Sequence, residues 1–211
     1  MGRRDQSVLD HEKWIDVLIM RPDRGFTLVE LLVTIAVIAI LAALSVPSFS
    51  TMIGNAKVRS VTEGLQNGLR LAQGEAIRRS RQTAFVLTNA TPALSATPAI
   101  NGTNWYAQML PIIASEAVDA TFYVQGGAFG NQTSGVTITG PAVICFNSVG
   151  RVVTNSATGL GVACAAPTPT VVFDVTRSGA DRTLALQVSA AGKIRMCDRS
   201  RTLSATQPDG C

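Results

Sequence analysis

An uncharged and strongly apolar run extends from Leu31 to Ala56, near the N-terminus. About 20 apolar residues are enough for a helix to cross the hydrocarbon core of a bilayer. A removable signal peptide has a shorter apolar core that ends at a cleavage site of small residues, and no A-x-A-like site ends this run. The run therefore predicts a retained membrane helix, and the 211-residue chain leaves room for one further domain of ordinary size.

The segment before the run, residues 1–25, is rich in charged side chains of both signs. We interpret it as a cytoplasmic leader that is removed from the mature chain. Met1 and Met20 are both open as the true start, and a start at Met20 would leave a short basic leader. Arg21 and Arg24 remain on the cytoplasmic side in either case, as the positive-inside tendency favours.

The pattern from Phe26 to about Ser80 predicts one long helix with two different halves. The first half is apolar all round, as a helix in lipid should be. Pro47 removes a backbone donor, so we expect a kink there. Apolar residues then recur at steps of three and four: Val58, Val61, Leu65, Leu69, Ala72 and Ala76. This division predicts a transmembrane or filament-core helix at 26–53 and a periplasmic domain at 54–211.

Short runs rich in β-branched and aromatic residues follow Arg81, with turn-forming residues between them. The predicted strands are Thr83–Leu87, Trp105–Leu110, Thr121–Val124, Val136–Thr139, Val143–Phe146, Thr170–Val175, Leu184–Val188 and Lys193–Cys197. The polar segment Thr88–Asn104 contains two prolines and predicts a loop. The expected fold class is α+β: a long N-terminal helix packed on a mostly antiparallel β-sheet domain.

The four cysteines all lie in the C-terminal third of the chain. An even number in an exported domain indicates disulfides, and none has C-x-x-C spacing. Three pairings are possible, of which neighbours in the chain give the simplest, Cys145 with Cys164 and Cys197 with Cys211. Four reduced, buried thiols are the alternative.

The only histidine, His11, lies in the predicted leader. Its removal would exclude a Ser-His-Asp or Cys-His arrangement from the mature chain, together with the commonest metal ligand. Carboxylates are sparse and scattered. We therefore expect no catalytic site, no metal and no cofactor.

The residues from Gly25 to Leu32, which read G-F-T-L-V-E-L-L, resemble the N-terminus of the type IV pilin superfamily, as do the apolar run and Pro47. The resemblance implies that a prepilin peptidase cuts after Gly25 and methylates the new amine of Phe26. It also implies that Glu30 pairs with the terminal amine of a neighbouring subunit during assembly. A carboxylate at the head of a transmembrane helix is costly to bury unless a positive group meets it.

Three further segments are similar to the GspH/FimT group of minor pilins and pseudopilins: the helix exit at 72–79, residues 144–151, and residues 184–197. The resemblance implies a minor pilin of a type IV pilus, with other pilins as partners. It would be anchored by a single pass in the inner membrane, with a periplasmic C-terminal domain that reaches the surface in a pilus. A pseudopilin of a type II secretion system, acting in protein export, is the alternative. An unrelated anchored periplasmic binding protein is a third class.

Some members of this group bind DNA in natural transformation, through a Gly-Arg-x-Arg turn and a basic tail. The present chain has Gly192-Lys193-Ile194-Arg195, followed by Arg199 and Arg201, with lysine in place of the first arginine. The resemblance thus implies double-stranded DNA as a candidate partner, bound through phosphates without sequence preference and weakened by salt. Alternatively, Lys193 and Arg195, which alternate along a strand, form only its solvated face. The tail also has no aromatic residue to stack on bases.

Overall fold

The structure is a computed structural model that describes residues 25–113, 115–130, 134–167 and 169–211, except for the side chains of residues 46 and 47. The predicted leader up to residue 24, with His11, lies outside the described residues. The described helix α1 is Leu28–Arg78, close to the predicted limits. The chain forms two compact units, of which the first ends at Ser45 and the second is Val46–Cys211.

The first part of α1 is exposed on all its faces, although nearly all its side chains are apolar. Even Ile38 and Leu41, well inside the helix, keep more than half of their side-chain surface accessible. Among the described residues, α1 is the one helix that is long and apolar enough to cross a membrane. The backbone is helical through Pro47, whose side chain lies outside the described part, so the kink at Pro47 stays a prediction.

The second part of α1 packs on the β domain through one face. The six residues of the predicted stripe are all fully buried: Val58, Val61, Leu65, Leu69, Ala72 and Ala76. Gly68 lies in the same interface, where an added Cβ would come within 2.8 Å of the rings of Phe85 and Trp105. The absence of a side chain at Gly68 therefore lets two aromatic rings reach the helix backbone.

Nine strands are present in the described residues, in two sheets. Their bounds are β1 Thr83–Thr88, β2 Asn104–Met109, β3 Tyr123–Ala128, β4 Val136–Thr139, β5 Val143–Phe146, β6 Val152–Val153, β7 Thr170–Arg177, β8 Leu184–Ser189 and β9 Ile194–Asp198. Sheet A has the order β3-β2-β1-β5-β6, sheet B has the order β4-β7-β8-β9, and every described strand pair is antiparallel. The α+β prediction is confirmed.

Six of the eight predicted strands differ from the structure by one to four residues at an end, and one observed strand was not predicted. A short 3₁₀ helix, Ala120–Phe122, occupies the start of the predicted strand Thr121–Val124, and Asp119 caps it by accepting a hydrogen bond from the Thr121 amide. The short strand β6 was not predicted, because two residues are too few for an alternating pattern to be visible.

The main core lies between the second part of α1 and the inner faces of both sheets. Phe85 of sheet A meets Phe173 of sheet B edge to face, with ring centroids 5.9 Å apart. A second, smaller core covers the opposite face of sheet A and includes Val86, Tyr106 and Cys145. The loops after β1 and β6 contribute Ala96 and Cys164 to that second core, so both faces of sheet A are buried.

Two disulfides join Cys145 to Cys164 and Cys197 to Cys211, the two pairs that neighbouring positions in the chain predicted. The first ties the loop after β6 to the central strand β5, and both of its cysteines are buried. The second ties the C-terminus to β9. Each disulfide therefore fastens an irregular segment to a sheet.

Candidate functional site

The start of α1 presents the three residues on which the predicted processing and assembly depend. Gly25 and Phe26 precede the helix and are exposed, Phe26 with 83% of its surface accessible. Glu30 lies in the first turn, where its amide donates a hydrogen bond to the Thr27 hydroxyl at 3.2 Å. A carboxylate in this position is favoured by the positive end of the helix dipole. Gly25 is thus exposed, and Glu30 lies at the head of an exposed apolar helix.

The four predicted DNA-binding residues lie at the end of sheet B, but three of them already have partners within the domain. The Arg199 guanidinium contacts both oxygens of Asp174, at 2.7 and 2.9 Å. Arg201 pairs with Asp209 at 2.7 Å. The Arg195 guanidinium donates to the backbone carbonyls of Pro208 and Gly210. These contacts account for the three arginines as structural residues that hold the C-terminal tail.

Lys193 differs from these three arginines. It lies in the exposed turn before β9, and its ammonium group has no hydrogen-bond or ion-pair partner in the described part of the chain. Its neighbour Gly192 has a φ of +85°, and an added Cβ would lie 2.0 Å from the carbonyl oxygen of Gly150. Only glycine fits such a left-handed, crowded position without strain. The turn that carries Lys193 is therefore pressed against the turn at Gly150.

Gln73 of α1 joins these two turns. Its side-chain nitrogen donates to the carbonyl oxygens of Gly150 and Gly192, both at 2.8 Å. Arg151 and Lys193 directly follow the two glycines, so the backbones of both basic residues start beside this amide. Arg70 precedes Gln73 by three positions, which places it one turn away on the same side of the helix.

Three exposed basic residues are thus connected to Gln73 by the chain: Arg70 lies one turn away on α1, and Arg151 and Lys193 follow the two glycines to which Gln73 bonds. None of them has a side-chain partner within the described ranges. We call these three residues the turn cluster. The sequence prediction missed Arg70 and Arg151. A signal for Arg151 was present, because Gly150-Arg151 and Gly192-Lys193 are both a turn glycine followed by a cation, whereas nothing in the sequence links Arg70 to either turn.

Arg81, three positions after the end of α1, contacts the segment before β3. Arg81 forms an ion pair with Glu116, and its guanidinium lies 4.5 Å from the ring centroid of Phe122. The hydrogen bond from Arg81 holds the pKa of Glu116 below its usual value.

Among the described residues no group of three His, Cys, Asp or Glu side chains is arranged to hold a metal ion.

Two known protein families match this chain, one over its N-terminal apolar helix and the other over most of the domain that follows. The prokaryotic N-terminal methylation motif matches residues 20–46. The family described as Type II transport protein GspH matches residues 61–192, from the buried stripe of α1 to the Gly192 turn. The chain belongs to the GspH family. Members of this type IV pilin-like group are structural proteins rather than enzymes, and the methylation motif with its apolar helix indicates membrane anchoring.

Solved structures that are similar to this chain have low sequence identity to it. One is the type IV minor pilin FimU of Pseudomonas aeruginosa strain PAO1, at 18% identity and a TM-score of 0.48, covering 74% of this chain and 96% of that one. Another is the minor pseudopilin EpsH from the Type 2 Secretion System of Vibrio cholerae, at 12% identity and a TM-score of 0.40, covering 67% of this chain and 96% of that one.

Proposed function

We propose that this protein is a minor, non-enzymatic subunit of a type IV pilus. Prepilin peptidase removes residues 1–25 and methylates Phe26. Residues 26–53 anchor the subunit in the inner membrane by a single pass and later pack against other pilins in the filament core. The domain at 54–211 faces the periplasm and then the surface. The observation that carries this proposal is the change along α1 from apolar and exposed on all faces to buried on one face.

The proposal assigns Glu30 to subunit assembly. Its carboxylate stands on an apolar segment, where an unpaired charge is costly inside lipid or inside a packed helical core. The methylated amine of Phe26 on a neighbouring subunit would neutralise it at the moment of assembly. We therefore expect Glu30 to matter for leaving the membrane, and not for entering it.

An incorporation assay tests this assignment in cells that lack the wild-type gene. Glu30→Ala is compared with Thr34→Ala, one helical turn further on, whose hydroxyl donates to the backbone carbonyl of Leu31 in its own helix. We expect both variants in the membrane fraction, and Thr34→Ala alone in sheared filaments. Normal recovery of Glu30→Ala in filaments would refute the role given to Glu30.

A pseudopilin of a type II secretion system is the second candidate, and the description of the matching family favours it. The same anchor and the same domain would serve that machine. Deletion of the gene separates the two candidates. Loss of surface pili with normal protein export supports the pilus, whereas a normal pilus with exported proteins retained in the periplasm supports the secretion system.

We further propose that any binding of double-stranded DNA uses the turn cluster rather than the paired arginines of the tail. The support is that Arg70, Arg151 and Lys193 are exposed and unpaired among the described residues, whereas Arg195, Arg199 and Arg201 already contact protein oxygens. Contacts to phosphates alone would give binding without sequence preference, falling steeply as salt rises.

Gel-shift titration at several salt concentrations tests this site. Replacing all three cluster residues by Gln should abolish the shift at every salt concentration. The matched control is Arg199→Gln with Asp174→Asn, which removes a paired cation without leaving its carboxylate unpaired, and should change binding little. Unchanged binding by the cluster variant, or salt-insensitive binding, would count against the turn cluster.

A further inference from the structure

The loop between β1 and β2, residues 89–103, has no part in the function proposed above. It contains the same four residues twice, Ala-Thr-Pro-Ala at 90–93 and again at 96–99, with Leu94 and Ser95 between them. Segments rich in Ser, Thr and Pro are a compositional mark of O-glycosylated surface regions. Composition alone does not make a site; a site also requires that the fold hold the loop in place and leave its hydroxyl groups exposed.

Side chains of the sheet fix the loop backbone to the domain, and three of them hold residues 95–97. The hydroxyl of Thr88 donates to the carbonyl of Thr97 at 2.8 Å. The buried amide oxygen of Gln108 accepts from the Ser95 amide at 2.7 Å. The Tyr106 hydroxyl donates to the carbonyl of Ala96. At residues 95–97 the polar groups used for anchoring are thus backbone groups.

The side-chain hydroxyls of Thr91, Ser95 and Thr97 are left free by this arrangement. All three residues are exposed, and none of the hydroxyls has a hydrogen-bond partner within the described ranges. The loop after β6 provides a contrast, because its Thr158 is buried and its hydroxyl donates to the carbonyl of Val162 at 2.8 Å. The loop at 89–103 therefore displays reactive groups that the fold does not use.

Both threonines directly precede a proline. Proline disfavours helical backbone in the residue before it and pushes that residue towards an extended conformation. An extended residue projects its side chain away from the chain, and an extended acceptor segment can lie along the cleft of an enzyme. Thr91-Pro92 and Thr97-Pro98 thus combine an accessible hydroxyl with a backbone preorganised for recognition.

We propose that Thr91, Ser95 and Thr97 form an O-glycosylation segment. The sugar donor belongs to the class of glycosyl diphosphates, carried on a lipid or a nucleotide. A bond forms between the side-chain oxygen and the anomeric carbon of the sugar, while the bond between that carbon and the diphosphate oxygen breaks. The hydroxyl proton passes to a base of the transferase, and the diphosphate leaves with the bonding electron pair.

Attachment to asparagine is less compatible with the same loop. Asn89 and Asn101 both begin an N-x-T sequence, but their side-chain oxygens are in use. Asn89 accepts from the amide of Thr103 at 3.1 Å, and Asn101 accepts from the amide of Gly140 at 2.9 Å. Turning either side chain towards a transferase would break these contacts, whereas no hydrogen bond within the described ranges holds the three hydroxyls.

The glycosylation proposal rests on the proposed export of the domain, and one experiment tests glycosylation and export separately. The full chain is purified from membranes of the cells that naturally make it, and the mass of the intact protein is measured together with the mass of its N-terminal peptide. A start at methylated Phe26 reports on export and processing independently of the loop. We expect a mass excess in saccharide increments on the peptide that contains residues 89–103, and its complete loss after alkaline β-elimination.

Two triple variants locate the modification. Replacing Thr91, Ser95 and Thr97 by Ala should remove the mass excess entirely, whereas the control variant Thr154→Ala, Ser156→Ala, Ser178→Ala, at exposed hydroxyls elsewhere, should retain it. Thermal unfolding of both variants checks that folding is unchanged. A correctly processed chain whose mass equals that of its sequence would overturn the proposal, and so would a saccharide mapped to Asn89, to Asn101 or to any site outside the loop.

Discussion

The side-chain amide of Gln73 donates a 2.8 Å hydrogen bond to the carbonyl oxygen of Gly192, which lies 119 positions later in the chain. The same nitrogen bonds to Gly150. Gln73 belongs to α1, Gly150 to the turn between β5 and β6 of sheet A, and Gly192 to the turn between β8 and β9 of sheet B. A single amide group therefore links the helix to both sheets.

Replacing Gln73 by Ala should lower the free energy of unfolding by about 1–3 kcal/mol, because two buried carbonyls lose their donor. Urea unfolding of the full chain in detergent, followed by the fluorescence of the buried Trp105, measures the change. Gln125→Ala is the matched control, since Gln125 is exposed on β3 and should shift stability by no more than about 0.5 kcal/mol. Equal losses of unfolding free energy in the two variants would contradict the role of Gln73 in linking the helix to both sheets.

Gly192→Ala and Gly74→Ala should change stability in opposite directions. At Gly192 the φ of +85° and the Gly150 carbonyl both oppose a Cβ, so we expect a loss of more than about 1–2 kcal/mol. Gly74 is exposed within α1 and has no atom within 4 Å of an added Cβ, so alanine there should stabilise the helix by about 0.5–1 kcal/mol. Thermal unfolding of both variants tests the pair, and a shift of the same sign in both would contradict the account.

The buried stripe of α1 could be predicted from sequence because it depends on local spacing. Val58 and Ala76 are at opposite ends of a pattern with helical period, and that pattern requires one face to be covered. The strands β4 and β5 were predicted with their observed limits, since turn residues bound each of them closely. Neighbouring cysteines likewise gave the two disulfides, where a short chain separation makes closure easy.

The long-range polar contacts could not be predicted in the same way. Arg199 meets Asp174 across sheet B, 25 residues away, and no periodic pattern connects the two positions. The basic tail therefore looked like a free patch in the sequence, although its arginines are engaged. The turn cluster was missed for the complementary reason: only the contact of Gln73 with two distant turns brings Arg151 and Lys193 near the part of α1 that carries Arg70.

The ion pairs of Glu75 should make stability depend on pH in a narrow acid range. Hydrogen bonds from Arg78 and then Arg79 lower the pKa of Glu75 from an ordinary 4.5 to about 2. A carboxylate with a lowered pKa in the folded state contributes its full stabilisation above the unfolded value and loses it as pH falls towards the folded value. The contribution should therefore be constant above about pH 5 and disappear between pH 4.5 and 2.

Thermal unfolding of the wild type and of Glu75→Gln, measured from pH 7 to pH 2, tests this expectation. The difference between their midpoints should be small, because Arg78 is largely exposed and salt screens the pair. That difference should stay level down to about pH 5 and then shrink to zero. A difference that persists at pH 2 would assign the effect of the substitution to packing instead.

Removing the C-terminal disulfide with Cys197→Ser and Cys211→Ser should release the tail. The two cysteines are 14 positions apart, and closing a loop of this length is worth about 3 kcal/mol in the chain-entropy model. Hydrogen exchange should rise over residues 199–211, where the amide of Cys211 now bonds to the carbonyl of Asp198. Unchanged protection of the tail would show that the disulfide does not order it.

Arg195→Gln should loosen the same segment to a smaller extent, since it removes the guanidinium that holds the carbonyls of Pro208 and Gly210. Lys193→Gln, two positions earlier in the chain, is the matched control and should leave hydrogen exchange in the tail unchanged. A larger rise in hydrogen exchange for Lys193→Gln than for Arg195→Gln would contradict the structural role given to Arg195 and the surface role given to Lys193.

Mass spectrometry of the mature N-terminus, on protein purified from its own cells, tests the central claim most directly. The account predicts a chain that begins at Phe26 and carries one methyl group on its terminal amine, and a Gly25→Leu variant that keeps its leader because the peptidase needs a small residue at the cut. A wild-type chain with an intact leader, or an unmethylated chain that begins at another residue, would contradict it.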